Sequence, residues 1–228
     1  MRAPMMYQTL DPVRIIETLD RLKARLEARF PDSGLARVCA ELADAARHTS
    51  RRAAEIAAHN WPLRIAVGIV ILLGIWALFS ALKFFHLEDI ETNVGLLQSL
   101  EAAVNLVILF GGATWFLVGL DDRMKQQRAL DELHTLRSLA HVVDMHQLTK
   151  DPHAHGPGAL KAADLTRYLD YCAEMLAIIA KLAALFADRV RDPVVIDTVT
   201  EIENLTTGLS RKIWQKIALI GHLDDGPA

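Results

Sequence analysis

The stretch EAAVNLVILFGGATWFLVGL, residues 101–120, decides how this chain folds, because it is apolar over almost its whole length. Residues 102–120 carry no charge and are interrupted only by Asn105 and Thr114. A helix rises about 1.5 Å per residue, so this run approaches the roughly 30 Å hydrocarbon thickness of a bilayer. We interpret residues 102–120 as a membrane span, which raises the question of why Glu101 and Asn105 lie one helical turn apart at its start.

A second uncharged run precedes this one in the chain: IAVGIVILLGIWALFSAL, residues 65–82. Two such runs with a short connection favour a membrane hairpin over two buried helices of a water-soluble protein. The composition agrees, because 52% hydrophobic residues is high for a soluble chain of 228 residues. The sequence therefore predicts an all-α integral membrane protein with a two-span antiparallel transmembrane hairpin.

The charges that flank the two runs predict their orientation. Basic residues lie before the first run and after the second, at Arg47, Arg51, Arg52, Arg64, Arg123, Lys125, Arg128 and Arg137. The connecting stretch FHLEDIETNVGLLQSLE, residues 85–101, carries no Lys or Arg. Because basic residues favour the cytoplasmic side, we expect both termini in the cytoplasm and a short external loop. For a bacterial protein this membrane would be the inner membrane.

Folding the runs antiparallel suggests a structural role for Glu101 and Asn105. Three polar pairs then lie at matching depths: Arg64 with Asp121, Lys83 with Glu101, and Ser80 with Asn105. Gly74 falls level with Gly111 and Gly112, where small residues would let the two backbones approach. A charge at the bilayer centre costs about 2.5 to 3.5 kcal/mol on insertion scales, so a matched partner is favourable. These positions are predicted to clamp and close-pack the hairpin.

A second hypothesis makes the same polar residues part of a pore. Asn105, Gly112 and Gly119 recur at seven-residue spacing. A single hairpin cannot enclose a channel, so this hypothesis requires an oligomer with a ring of Glu101 side chains. It predicts a two-span cation channel with Glu101 and Asn105 near the external mouth.

The residues on either side of the hairpin, 1–60 and 122–228, show amphipathic helical periodicity. The predicted stripes include Ile15, Leu19, Leu22, Leu26 and Phe30, then Leu165, Tyr168, Cys172, Met175, Ile179, Leu182 and Phe186, and later Val195, Val199, Ile202, Leu205, Leu209, Ile213 and Ile217. One-sided helices must bury their apolar stripes, so we expect a cytoplasmic helical bundle. The chain then divides into residues 1–60, a hairpin over residues 61–121, and residues 122–228, with the two flanking parts packed together.

Motifs that carry chemistry are few. Five histidines cluster at His134, His141, His146, His153 and His155. Their spacing fixes no metal geometry, so a metal-binding or pH-sensing segment competes with solvated histidines and a His141–Asp144 pair. On the last predicted helix, Glu203, Thr207 and Arg211 share one face, which favours an interhelical polar network or a partner-binding face over catalysis.

Several function classes are disfavoured by what the sequence lacks. Net charge is −3 with acids and bases interspersed, so the concentrated basic surface of a nucleic-acid binder is missing. Nucleophile elbows and phosphate or dinucleotide loops are absent, so we expect neither an enzyme nor a cofactor. Cys39 and Cys172 are predicted to be buried, reduced thiols. The leading hypothesis is a membrane scaffold or adaptor whose partners are the lipid bilayer and further copies or another membrane protein. A membrane-tethered metal-binding protein is the third.

Overall fold

The computed structural model describes residues 10–57, 61–85, 93–150 and 160–224. Within these ranges the chain forms six α-helices and no β-strand, which confirms the all-helical class. The helices are α1 (Pro12–Arg29), α2 (Gly34–Ala57), α3 (Trp61–Phe85), α4 (Asn93–Leu148), α5 (Ala162–Arg189) and α6 (Pro193–Asp224).

Helices α1 and α6 begin at the two Asp-Pro pairs of the sequence. The Asp11 carboxylate accepts a hydrogen bond from the Val13 N–H at 2.9 Å, and the Asp192 carboxylate accepts one from the Val194 N–H at 2.9 Å. Each aspartate thus satisfies a backbone donor that has no partner inside its helix. The proline that follows is the first helical residue, where a missing N–H costs nothing.

Helix α4 begins earlier than the sequence analysis predicted. Residues 93–101 were expected in the external loop, but α4 already starts at Asn93. The Leu, Gln and Glu residues of this segment are good helix formers, so helical hydrogen bonding extends back from the apolar run. The helix then continues without interruption for 56 residues to Leu148. The second apolar run therefore continues directly into a polar helix.

The chain divides into two compact units. The bundle unit comprises Met1–Ala57 and Gln126–Ala228, and the apolar unit comprises Ala58–Lys125. In the bundle unit, α2 packs against α1 and α5, while α1 and α6 also pack against α5. The C-terminal part of α4 belongs to this unit and is joined to α2 by a hydrogen bond of 3.1 Å from the Thr49 hydroxyl to the Glu132 carboxylate.

The predicted apolar stripes form the core of the bundle unit. All seven stripe residues predicted on α5 are buried, as are Ile15, Leu19, Leu22 and Leu26 of α1. Phe30 is half-buried and packs edge-on against Tyr168, with 5.6 Å between the ring centres. The helical periodicity of these segments therefore identified the core correctly.

Ion pairs at the rim of this core join α1 to α5. Arg25 pairs with Glu174, and the guanidinium of Arg29 lies 2.7 Å from the carboxylate of Asp164. All four side chains are at least one-third exposed, and such pairs contribute about 0 to 1 kcal/mol each. Burial of the apolar stripes is therefore the larger contribution to the stability of this unit.

Candidate functional site

The apolar unit carries its hydrophobic side chains outward. Nine large apolar residues of α3 are exposed, and so are nine of the α4 segment 100–120, within the described residues. They include Trp61, Ile69, Leu72, Ile75, Trp76, Phe79, Val107, Ile108, Leu109, Trp115 and Phe116. None of the most apolar 18-residue window of α4 is buried. A core helix of a soluble protein would bury such residues. Their exposure therefore marks this surface as a candidate interaction site.

One described helix is long and apolar enough to cross a membrane by length and composition alone. It is the α4 segment Leu100–Leu148, whose most apolar window has a mean hydropathy of 2.0. The apolar segment of α3 is shorter and covers Ile65–Ser80.

Gly74 is a point of close approach between α3 and α4. A Cβ atom added to Gly74 would lie 2.9 Å from Phe110 Cγ and 3.1 Å from Phe110 Cβ. Gly74 was expected to lie against Gly111 and Gly112, yet a Cβ on either of these would meet nothing within 4 Å. Successive helical residues turn by about 100°, so when Phe110 faces α3 the next two residues face elsewhere. The expected glycine-on-glycine packing is instead a glycine-on-phenylalanine contact.

The structure does not bring together the polar pairs expected at the outer end of the hairpin. The Lys83 ammonium lies 4.9 Å from the centre of the Phe79 ring, a cation–π contact within α3. Glu101 and Asn105 are exposed, and their side chains make no ion pair or hydrogen bond with any described residue. Ser80 is half-buried and likewise makes no hydrogen bond to Asn105.

The other predicted ion pair joins Arg64 to Asp121. The Asp121 carboxylate lies 2.7 Å from the Lys125 ammonium, one turn further along α4. The side chain of Arg64 lies outside the described residues, so its pairing with Asp121 stays a prediction.

A groove of about 690 Å³ lies between α3 and α4 within the apolar unit. Its walls are almost wholly apolar and include Ile71, Leu78, Val107 and Phe110, while Thr114 and Asp122 supply polar atoms. Sites for small molecules combine apolar walls with several convergent polar groups that fix orientation. This groove offers space for hydrocarbon but little that would orient a polar substrate.

The histidines of α4 do not form a metal site in the described part of the chain. No group of three or more His, Cys, Asp or Glu side chains there could hold an ion. His134 and His141 are exposed, and the Asp144 carboxylate accepts a hydrogen bond of 2.8 Å from the Gln147 amide. The expected His141–Asp144 pair is therefore not formed. His153 and His155 lie outside the described residues.

His146 packs against the start of α2. A Cβ atom on Gly34 would lie only 2.5 Å from His146 Cε1, so the imidazole covers this glycine. Partial burial lowers the pKa of His146 from its ordinary 6.5, and the nearby cations Lys150 and Arg37 lower it further. Protonation of this imidazole is thus disfavoured near neutral pH.

A second groove, of about 660 Å³, lies between α5 and α6 in the bundle unit. The α5 wall is formed by Lys181 and the small residues Ala177, Ala180 and Ala184; the α6 wall includes Glu203, Thr207, Ser210, Arg211 and Trp214. Three of these, Glu203, Thr207 and Arg211, were predicted to share a face, and all three are exposed. Trp214, which is 57% exposed, was not singled out from the sequence. Trp214 follows Arg211 by one helical turn, so the helical spacing could have placed it on the same face.

The two cysteines are buried and free, as predicted. Burial raises the pKa of the Cys39 thiol to about 11 and that of the Cys172 thiol to about 12. Only the thiolate is a good nucleophile or metal ligand, so both thiols are chemically inert at neutral pH.

Comparison of the chain with protein-family models, with curated proteins and with solved structures found no match. Two surfaces of the molecule therefore carry the functional argument: the outward-facing apolar side chains of α3 and α4, and the groove between α5 and α6.

Proposed function

We propose that the protein is a membrane-anchored helical scaffold or adaptor. The apolar unit would sit in a lipid bilayer, and the bundle unit would assemble with further copies or with another membrane protein. The observation that carries this proposal is the outward exposure of large apolar side chains along both α3 and the first part of α4. Nucleic acid is not among the proposed partners.

The size of the exposed apolar surface favours lipid as its environment. The largest apolar patch on a typical soluble monomer is about 300 to 600 Å², and a single exposed tryptophan or phenylalanine already contributes a sizeable part of that. Here Trp61, Trp76 and Trp115 are exposed by 71%, 69% and 84% together with the aliphatic residues around them. Leaving such a surface in water would be strongly unfavourable at about 25 cal/mol per Å².

The lengths of the helices are compatible with insertion. Helix α3 has 25 residues, and its uncharged residues 65–82 correspond to a rise of about 27 Å, close to the roughly 30 Å of hydrocarbon. The contact of Gly74 with Phe110 supports a two-span hairpin in which α3 and α4 lie side by side. The basic residues that flank the two runs support a cytoplasmic location for both termini.

The construction of the bundle unit supports assembly as its role. Its core is closely filled by buried leucine, alanine and aromatic side chains from α1, α2, α4, α5 and α6. The groove described in this unit is open to the surface and presents exposed charged residues and Trp214. Open surface grooves with an exposed aromatic side chain are typical of protein–protein contacts.

Membrane extraction tests the anchoring part of the proposal. Membranes from expressing cells should retain the protein after washing at alkaline pH and release it only in detergent. Replacing outward-facing Leu72 and Leu109 with arginine should reduce this retention, because each charge costs about 2.5 to 3.5 kcal/mol in hydrocarbon. Replacing the bundle-surface residues Val194 and Leu219 with arginine is the matched control and should leave retention unchanged. Full release of the unsubstituted protein at alkaline pH would refute the anchoring.

An oligomeric cation channel is the second candidate function. The favouring observation is that Glu101 and Asn105 are exposed on α4 and make no side-chain bond with a described residue. A carboxylate and an amide exposed on an otherwise apolar helix are available to face the same groups of neighbouring copies, as in rings that select cations.

Reconstitution distinguishes the channel from the structural clamp. A channel predicts a cation current across bilayers that Glu101→Gln alters, whereas silence at all voltages and pH values would count against it. The clamp expected from the sequence would instead make Glu101→Gln destabilising and let Lys83→Gln partly compensate; because the Lys83 ammonium lies over the Phe79 ring, we expect no such coupling. A double-mutant cycle on stability measures that coupling directly.

A further inference from the structure

The outer face of α6 presents a regular pattern of exposed side chains along the α5–α6 groove. We define the α6 outer face by Glu203, Thr207, Ser210, Arg211 and Trp214, which all line this groove. Four of these residues are exposed and Ser210 is half-buried. The pattern is independent of the apolar unit, since it lies wholly within the bundle unit.

The two charges on this face have no partner among the described residues. Elsewhere in the bundle unit, basic side chains reach carboxylates on neighbouring helices, as Arg137 of α4 does with Glu201 of α6 at 3.3 Å. The Glu203 carboxylate and the Arg211 guanidinium make no such ion pair or hydrogen bond with the described side chains. They lie on the same helix, two turns and about 12 Å apart along its axis, and therefore cannot pair with each other.

The spacing of these charges is symmetric about Thr207. Glu203 lies four residues before Thr207 and Arg211 lies four residues after it. If a second α6 packs antiparallel with a two-fold axis beside Thr207, Glu203 of each copy faces Arg211 of the other. An interface with this property is isologous, because the same patch on both subunits is complementary to itself.

We propose that the α6 outer face is a self-association surface, and that its partner is a second copy of this chain packed antiparallel about Thr207. The inference deepens the proposed scaffold function and rests on it. Two Glu203–Arg211 pairs across the axis set the register and the direction of the two helices. Trp214 of each copy lies at the edge of the same contact, where tryptophan frequently dominates binding energy.

The shape of the α5 wall suits this partner. Ala177, Ala180 and Ala184 give this wall short side chains, so a second helix can approach the open groove beside α6 closely. Lys181 lines the same groove as Glu203 and adds a further positive charge there for the carboxylates of an approaching copy. Charge complementarity within one face, with equal spacing on both sides of Thr207, favours a second copy over an unrelated partner.

Charge reversal tests the proposed pairing. The full-length protein in detergent should sediment as a dimer or a multiple of dimers, and Glu203→Arg or Arg211→Glu should each weaken association about 10-fold or more, because both symmetric contacts become repulsive. Mixing the two variants should restore association, because one variant then presents arginine at both positions and the other presents glutamate at both. Lys212→Glu, on α6 but outside the groove, is the matched control and should not weaken association.

A cross-link supplies a second, independent measurement. Thr207→Cys places a thiol beside the proposed two-fold axis, so a mild oxidant such as a copper–phenanthroline complex should join two copies through residue 207. Lys212→Cys should not cross-link under the same conditions. Cys39 and Cys172 are buried and give no background.

The possible outcomes separate this inference from the scaffold function. An oligomer that persists unchanged in both charge variants, with no cross-link at residue 207, would overturn the α6 surface and leave assembly through another face standing. A monomer in the unsubstituted protein would overturn the α6 surface, and a monomer that also retains no other membrane protein would refute the scaffold function as well. Weakening in each variant without recovery on mixing would also overturn the antiparallel pairing, because general damage to the bundle would then explain the result.

Discussion

The same residue types behave in opposite ways in the two units. Leu19 and Leu22 of the bundle unit are fully buried, whereas Leu72 and Leu109 of the apolar unit are exposed by 67% and 64%. In α1, polar residues separate the leucines at helical spacing, so one face can turn inward and the other toward water. In α3 apolar residues surround the helix, so no rotation can bury them all. Whether an apolar side chain is buried therefore depends on how apolar and polar residues are distributed around its helix, and not on its own hydrophobicity.

The largest expected effect contrasts two phenylalanines. Phe186 is fully buried, and Phe186→Ala should lower the free energy of unfolding by about 3 to 5 kcal/mol because it removes packed atoms and leaves a cavity. Phe116 is 64% exposed, so Phe116→Ala should cost far less. Unfolding in detergent, followed by far-ultraviolet circular dichroism, measures both. Equal losses would show that the apolar unit has a packed interior of its own.

The next effect concerns the tight contact inside the apolar unit. Gly74→Ala should destabilise the protein by about 1 to 3 kcal/mol, because the added methyl group meets Phe110 near its backbone attachment and the helix must shift. Gly68→Ala on the same helix is the control, since its Cβ would meet nothing within 4 Å. Thermal unfolding of the two variants in one detergent gives the comparison. A loss in Gly68→Ala as large as in Gly74→Ala would contradict the observed contact.

A smaller effect is expected at the polar link between α2 and α4. The Glu132 carboxylate accepts a hydrogen bond from the buried Thr49 hydroxyl at 3.1 Å and lies 3.5 Å from His48 and 3.9 Å from Arg52. Glu132→Ala leaves that hydroxyl without its partner and should cost about 1 kcal/mol in unfolding free energy.

Glu201→Ala is the control for Glu132→Ala. It breaks a single ion pair of a carboxylate that is 66% exposed, so it should cost less than about 0.5 kcal/mol. Urea unfolding of both variants measures the difference. If the order of the two losses were reversed, the partial burial of Glu132 would not be what stabilises this link.

The smallest effect is a pH dependence in the bundle unit. The pKa of His146 is lowered in the folded protein, so between its folded pKa and 6.5 the unfolded chain binds more protons. Stability should therefore fall as pH decreases below 6.5, and His146→Asn should remove part of that fall. Unfolding curves at several pH values measure both slopes. Identical slopes for the variant and the unsubstituted protein would show that His146 does not contribute.

The sequence predicted the bundle core well for a simple physical reason. Burying a stripe such as Leu165 to Phe186 on α5 requires only that apolar residues recur at helical spacing, and that periodicity is local information. The starts of α1 and α6 depend on equally local information, because an aspartate cap followed by proline acts within one turn of helix.

The rotation of α3 against α4 could not be predicted in the same way. Matching residue depths placed Gly74 near position 111, one residue from the observed contact with Phe110. Depth does not specify which face of each helix turns inward, and a difference of one residue changes the direction by about 100°. The glycine pair and the polar residues Lys83 and Glu101 therefore did not meet as expected.

The α5–α6 groove could not be predicted from the sequence for a different reason. The spacing of Glu203, Thr207 and Arg211 correctly predicted that they share one face of a helix. Recognising Ala177 and Ala184 as the opposite wall requires knowing which face of α5 lies beside α6, which is a tertiary property.

The distribution of tryptophan has an optical consequence. Three of the four tryptophans, Trp61, Trp76 and Trp115, lie in the apolar unit, and only Trp214 lies in the bundle. Intrinsic tryptophan emission will therefore report mainly on the surroundings of α3 and α4. In a Trp214→Phe variant this emission comes from the apolar unit alone. The proposed membrane location then predicts a blue-shifted spectrum in lipid and quenching by brominated acyl chains according to depth.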